Sequence, residues 1–288
     1  MKIAAVVILY HPTENTLDNI KTYAKAVDKV YVFDNTEEGT FLKKNLMEIS
    51  NITYLHDNHN AGIAKRLNTS AQMAINEGFD WLLMMDQDSK FEGNAIQYYW
   101  DGVSKFPHPE SVGLFGPQFS RNNKQSLAQS SYQEIDGMIT SGTLLNLNIY
   151  QQIGKFDEAL FIDAVDIEYC LRVQKAGFKM IQLINVFIQH ELGQTEKKAS
   201  IKTLYLIKKE KELHSPLRYY YMYRNNLYVQ SKYKGFDKQT MQKINRNAMS
   251  FLKKGFFYGS NSWEIVKYIV EARRDFKQNK MGKYQSNT

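Results

Sequence analysis

The chain has 288 residues, 43% of them hydrophobic, which is enough for one large apolar core and excludes a disordered chain. A single cysteine, Cys170, excludes an internal disulfide and a cysteine-based zinc site, and it fits a reducing compartment. The net charge of +7 is uneven: residues 1–192 hold 16 Lys+Arg against 23 Asp+Glu, and residues 193–288 hold 21 against 7. A mildly acidic body therefore carries a strongly basic tail.

The first half alternates between two periods. "IAAVVILY" (3–10) is a continuous apolar strand, too short to span a membrane and without a small-residue cleavage site. Residues 13–27 repeat Leu17, Ile20, Ala24 and Val27 at helical intervals, and "VYVFDN" (30–35) is a second strand. A second helical stretch covers 40–50, a third strand "ITYL" (52–55), and a third helix 61–77, closed by Gly78. "DWLLMMD" (80–86) is the fourth strand. This alternation predicts an α/β fold with a mostly parallel sheet flanked by helices.

The middle is less regular. "SVGLFGPQF" (111–119) and "EIDGMITSGTLLN" (134–146) read as strands broken by glycines. Residues 165–176 form a short helix stopped by Gly177, and 178–190 is a strand or strand pair. From about residue 195 the pattern is helical, polar and lysine-rich, with tyrosines clustered in "RYYYMYRNNLYV" (218–229). Pro216 marks the expected boundary between a catalytic body, 1–215, and a helical basic extension, 216–288.

The fourth strand ends in "DQDS". Asp86 and Asp88, two residues apart on extended backbone, project to one side beyond the carboxyl end of a buried strand. Ligands of open α/β sheets bind at such ends, and paired carboxylates suit Mg2+ or Mn2+, which could in turn grip a diphosphate. The alternative is a cap on a helix starting near residue 90. Asp34 ends the second strand, where it could accept hydrogen bonds from a base or ribose. Asn60 and Gly62 open the third helix, whose free N–H groups, with Lys65 and Arg66, suit phosphates. Asp163 and Asp166 fall at another helix start, where a carboxylate stays ionised and can act as a general base. His190 ends a strand and could add a nitrogen ligand.

These stretches together resemble the inverting nucleotide-sugar glycosyltransferases of family 2, with the Rossmann-like GT-A fold, and look closest to bacterial rhamnosyltransferases. The matching segments run in order: "VVILYHP" (6–12), "VFDN" (32–35), "NAGIAKRLN" (60–68), "MMDQDS" (84–89), "TSGTLL" (140–145), "FIDAVDIEYCLR" (161–172), "AGF" (176–178) and "HELG" (190–193). "RYYYMYRN" (218–225) is similar to a post-catalytic segment of the rhamnosyltransferase branch. The resemblance implies nucleoside contacts at Tyr10, Pro12 and Asp34, and nucleotide or diphosphate contacts at Asn60, Gly62 and Lys65. It implies a metal held by Asp86, Asp88 and His190, with Gln87 on the donor side. It also implies a donor-sugar and acceptor loop at Ser141, Gly142 and Thr143, and Asp166 as the base. Where the family usually has a glutamate before that aspartate, this chain has Val165, so Asp163 is kept as a second candidate.

The expected activity is metal-dependent transfer of L-rhamnose from dTDP-L-rhamnose to a hydroxyl of a saccharide or lipid-linked saccharide in cell-surface polysaccharide synthesis. A UDP-sugar donor and an inactive glycan-binding relative are the alternatives. The lysines and tyrosines of the tail are expected to lie on an anionic membrane surface, at the inner face of the plasma membrane of a cytoplasmic protein. No nucleic-acid partner is expected, because the basic charge lies outside the alternating core. A homodimer is left open.

Overall fold

A computed structural model describes residues 1–119, 126–190, 195–198, 209–258 and 261–286. The chain divides into two compact units, Met1–Glu158 with Val165–Glu191, and Ala159–Ala164 with Leu192–Thr288. The expected boundary at Pro216 falls inside the second unit, at the start of a helix.

The first unit is built on a sheet whose first strands are β1 (Ile3–Leu9), β2 (Lys29–Asp34), β3 (Ile52–His56) and β4 (Trp81–Asp86). They lie in the order β3-β2-β1-β4, all parallel. Beyond β4 the sheet turns mixed. The short β5 (Ser89–Phe91) and the strands β6 (Val112–Phe119), β7 (Tyr132–Glu134), β8 (Thr143–Asn146) and β9 (Lys179–His190) complete it. β8 runs antiparallel to both β4 and β6, β6 is parallel to β9, and β5 and β7 run antiparallel to β9.

Burial on both faces explains why β1 reads as unbroken hydrophobicity. Ile3, Ala5, Val7 and Leu9 join one apolar cluster with residues of α1 (Asn15–Ala24), α2 (Lys43–Met47) and α4 (Ala95–Lys105). Ala4 and Val6, equally buried, point the other way, and α3 (Ile63–Asn76) packs against β1 and β4. Helix α5 (Leu147–Ile153) was not expected from the pattern. Asn146 caps it, its side-chain oxygen accepting the N–H groups of Asn148 and Ile149. Helix α6 (Val165–Lys175) matches its expected span.

In the second unit the stretch expected to be helical from 195 instead holds an antiparallel pair, β10 (Thr195–Lys198) and β11 (Lys209–Glu212). Three helices follow: α7 (Pro216–Lys232), α8 (Lys238–Tyr258) and α9 (Ser262–Lys277). The tyrosines of α7 do not face solvent. Tyr219, Tyr220 and Tyr221 are 1%, 1% and 5% exposed and form the unit's core, so they are not available to a membrane. Gly255 of α8 meets the Tyr219 ring so closely that an added Cβ would lie 2.3 Å from its Cζ. Arg224 is buried against the rings of Tyr220 and Tyr221 and donates to the carbonyl of Gly282 at 2.8 Å. Tyr220 in turn donates to Asp275 at 2.8 Å.

Candidate active site

The carboxyl ends of β1, β2 and β4 meet through register and a short relay of side chains. Ile8 pairs with Asp86 and Leu9 with Asp34, which sets the two expected aspartates one strand to either side of β1. Past the last strand pair, the Gln87 side chain clasps Tyr10. Its oxygen accepts the Tyr10 N–H at 2.9 Å, and its amide nitrogen donates to the Tyr10 carbonyl at 3.1 Å. Gln87 therefore holds the β1–α1 turn, and its own carbonyl accepts from Asn19 at 3.1 Å. The same turn is fixed from β2: His11, at φ 46°, donates its N–H to Thr36 Oγ1 at 2.9 Å. Pro12 is buried, and the Tyr10 ring is 46% exposed beside the His11 ring at 4.3 Å.

Asp34 is fully buried. One oxygen accepts the Thr36 N–H at 2.9 Å and the other the Tyr54 hydroxyl at 2.6 Å. Burial, then that bond and charge, push the Tyr54 hydroxyl far above its usual range. In this arrangement Asp34 shapes the strand end. Its neighbour Asn35 reaches the helix opening instead, accepting from Ala61 N at 3.3 Å and Arg66 Nε at 2.7 Å.

The Asn60 side chain accepts the Gly62 N–H at 3.0 Å, and Gly62, at φ 81°, starts α3. Lys65, expected on the phosphates, pairs with Glu158 at 3.4 Å with both side chains about half exposed. Arg66 is instead nearly buried and grips Asp57 through two nitrogens at 2.8 and 2.5 Å, which holds the Asp57 carboxyl below the usual carboxylate range. Asn68 uses its whole amide: the oxygen accepts from Tyr150 and Phe156, and the nitrogen donates to Phe156 and Glu158. The alternative reading of residue 88 or 89 as a helix cap is overturned, because residues 89–91 are strand β5 and the next helix starts at Ala95.

The loop 140–142 sits on the end of β4. Ser141 Oγ accepts the Asp86 N–H at 3.2 Å, and Gly142 donates to the Met84 carbonyl at 2.8 Å. Gly142 has φ 76°, and a Cβ there would lie 2.8 Å from both Ile188 Cδ1 and Pro117 Cγ, so only glycine fits. Thr143 pairs with Met84 and donates to the Ile139 carbonyl at 2.6 Å. The stretch just before that loop is tied to α6: Cys170 Sγ lies 3.5 Å from both the N and the O of Met138. Burial pushes that thiol up to about 12, which removes Cys170 as a nucleophile.

Asp166 lies in the first turn of α6, half-buried, at the helix end whose dipole favours negative charge. Asp163 belongs to the second unit. Its carboxylate takes Arg218 at 3.1 Å, and Asn225 donates to the carbonyls of Ile162 and Asp163 at 2.7 and 2.9 Å. Asp163 and Ala164 both have φ 64°, a costly pair for residues other than glycine. Asp163 is thus engaged as a structural ion pair.

For a metal, Asp86 ends β4, whereas Asp88 lies in the turn before β5 and not on the extended backbone expected for it; both are half-buried. Burial and then the Asp86 charge hold the enclosed Tyr23 hydroxyl far above its usual range. Strand pairing sets His190 opposite Ser89, one residue from Asp88, but the His190 side chain lies outside the described residues. No group of three or more His, Cys, Asp and Glu side chains suited to a metal occurs among the described residues. Two carboxylates still fit Mg2+ or Mn2+, which take one or two protein carboxylates with the remaining positions filled by phosphate and water.

No family model matches the chain. Over 242 residues it is 28% identical to the dTDP-rhamnosyl transferase RfbF of Shigella flexneri, a span of 77% of this chain and 78% of that protein. Among solved structures, GalNAc-T7 with UDP, GalNAc and Mn2+ superposes with a TM-score of 0.61 at 11% identity over 96% of this chain. The chain spans 56% of the length of that GalNAc-T7. S. aureus TarS (1–349) superposes with a TM-score of 0.56 at 14% identity, over 96% of this chain and 80% of that one. The same TarS fragment with UDP-GlcNAc gives 0.53 at 12% identity, over 96% and 81%. The structural likenesses establish the GT-A fold, and with the sequence likeness they class the chain as a glycosyltransferase. Within that class its sequence is similar to that of a rhamnosyltransferase.

Proposed function

We propose that the chain transfers L-rhamnose from dTDP-L-rhamnose to a saccharide hydroxyl, with inversion at the anomeric carbon. The likeness to RfbF over 77% of the chain carries the choice of sugar and donor. The edge formed by β1, β2 and β4 supports the chemistry. The exposed Tyr10 ring offers a face to the nucleobase, and the N-terminus of α3 at Gly62 offers N–H groups to phosphate. Asp86 and Asp88 would hold a divalent cation, which when bound supplies charge neutralisation for the departing diphosphate. Asp166 takes the proton of the attacking hydroxyl, and loop 140–142 lies beside the reacting sugar. Single displacement then inverts the configuration.

A UDP-sugar donor is the second reading, favoured by neighbours solved with UDP and UDP-GlcNAc. The two readings separate on product. Incubation with dTDP-L-rhamnose, a saccharide acceptor and Mn2+ should release dTDP and give a rhamnosylated product whose anomeric configuration, read by NMR, is inverted. Turnover of UDP-sugars alone would replace the donor, and retention would refute the single displacement.

No helix among the described residues is long and apolar enough to cross a membrane. The basic second unit, with 21 Lys+Arg against 7 Asp+Glu over residues 193–288, supports work at an anionic membrane surface on a lipid-linked acceptor.

A further inference from the structure

We propose that the last turn of α8 and the exposed stripe of α9 are the contact through which the second unit docks on an anionic lipid surface, a proposal that rests on the membrane reading above and locates it. The large apolar side chains exposed in this unit, among the described residues, are Phe256, Phe257, Trp263 and Val270, at 43%, 39%, 85% and 63%. All four fall on the last turn of α8 or on α9. A tryptophan so exposed on an otherwise polar surface marks an interaction site.

The local structure fixes the patch. Asn261 caps α9, accepting the Glu264 N–H at 3.3 Å and donating to the Glu264 carboxylate at 3.1 Å. Ser262 donates to the Phe256 carbonyl at 2.7 Å and ties the two helix ends together. Trp263 follows Ser262 directly on α9. Along α9, Trp263, Lys267, Val270 and Arg274 recur at intervals of four, three and four, so one exposed stripe alternates apolar and cationic groups. On α8, Lys253 stands one turn before Phe256 and Phe257.

The acidic side chains of the same stretch are held by local partners, and of the three Glu264 is exposed. Glu264 closes the cap, Glu271 accepts the Tyr284 hydroxyl at 2.8 Å, and Asp275 is buried against Tyr220. Positive charge and aromatic surface predominate outward, with Lys267, Arg273, Arg274 and Lys277 exposed against Glu264. That combination suits the boundary between headgroups and acyl chains of an anionic leaflet. A second copy of the chain fits less well, because it would set two strongly basic units against each other.

The chain's three tryptophans make the test specific. Trp81 and Trp100 are 7% and 9% exposed, so a vesicle-induced change in emission reports Trp263. Full-length protein is titrated at low salt with vesicles of phosphatidylcholine, with and without phosphatidylglycerol. The proposal expects a blue shift with the anionic vesicles only, binding lost in high salt, and about tenfold weaker binding by Trp263→Ala. Turnover on a soluble acceptor should be unchanged in that variant, which also shows that it folds. Absence of binding by the unaltered protein would overturn the membrane reading itself. Binding with unshifted emission, equal in Trp263→Ala and in Phe256→Ser/Phe257→Ser, would leave a charge-only contact and overturn the docking patch. A dimer in solution that Trp263→Ser disperses would overturn the lipid in favour of a second copy.

Discussion

Replacing Gln87 by alanine tests whether the residue between the two aspartates acts through Tyr10. The side chain makes two hydrogen bonds to the Tyr10 backbone, at 2.9 and 3.1 Å, at the point where the pairing of β1 with β4 has ended. Each neutral hydrogen bond is worth about 0.5–1.5 kcal/mol net, and this pair is near the surface, so the lower end applies. Removing both frees the turn by about 1–2 kcal/mol, equivalent to about five- to thirtyfold in affinity for a nucleotide that needs Tyr10 in place. Calorimetric titration of dTDP with Mn2+ into the unaltered chain, Gln87→Ala, Tyr10→Ala and the double variant reads this directly. The loss from Gln87→Ala should largely vanish once Tyr10 is gone, and donor KM should rise while kcat changes little. A full, additive loss in the Tyr10→Ala background would refute the reasoning and give Gln87 a direct contact with the nucleotide.

Asp166→Asn should lower turnover by about 10²–10⁴ while dTDP binding is kept, and retained turnover would move the base elsewhere. Asp163→Asn breaks an ion pair with Arg218 and should cost stability more than chemistry, read as a lower melting temperature with kcat within severalfold. Gly142→Ala forces a side chain into φ 76° and against Ile188 and Pro117, so the urea midpoint should fall by an amount equivalent to about 2–5 kcal/mol; an unchanged midpoint would contradict the close approach. For pH, the Asp57 carboxyl is depressed by Arg66, so its contribution is present above the unfolded value of about 3.9 and lost as pH falls through the folded one. Below about pH 4 the melting temperature of Asp57→Asn should therefore fall less steeply than that of the unaltered chain.

The parallel half of the fold was legible because its strands are buried on both faces and its helices carry one clear apolar stripe. The strand ends that hold Asp34 and Asp86 followed from the same pattern. Residues 134–146 were harder. Only 143–146 pair as β8, and the preceding loop is held by Ser141 and Gly142 contacts that no periodicity reveals. The stretch after 195 read as helix because lysine and glutamate favour helices, whereas its backbone pairs as β10 and β11. The α7 tyrosines read as surface because they sit among charges. Arg224, placed between two of their rings, is itself buried and lets them form a core. Spacing could not show that Gln87 bonds backbone, that Lys65 pairs with Glu158, or that Arg66 turns inward to Asp57.

Thermal stabilisation by dTDP and by UDP, each with and without Mn2+, tests the central claim most directly. A ligand bound only by the native state raises the melting temperature according to its affinity. The account predicts a shift with dTDP that depends on Mn2+ and disappears in Asp88→Asn. A shift with UDP alone, or a dTDP shift indifferent to both Mn2+ and Asp88, would contradict it.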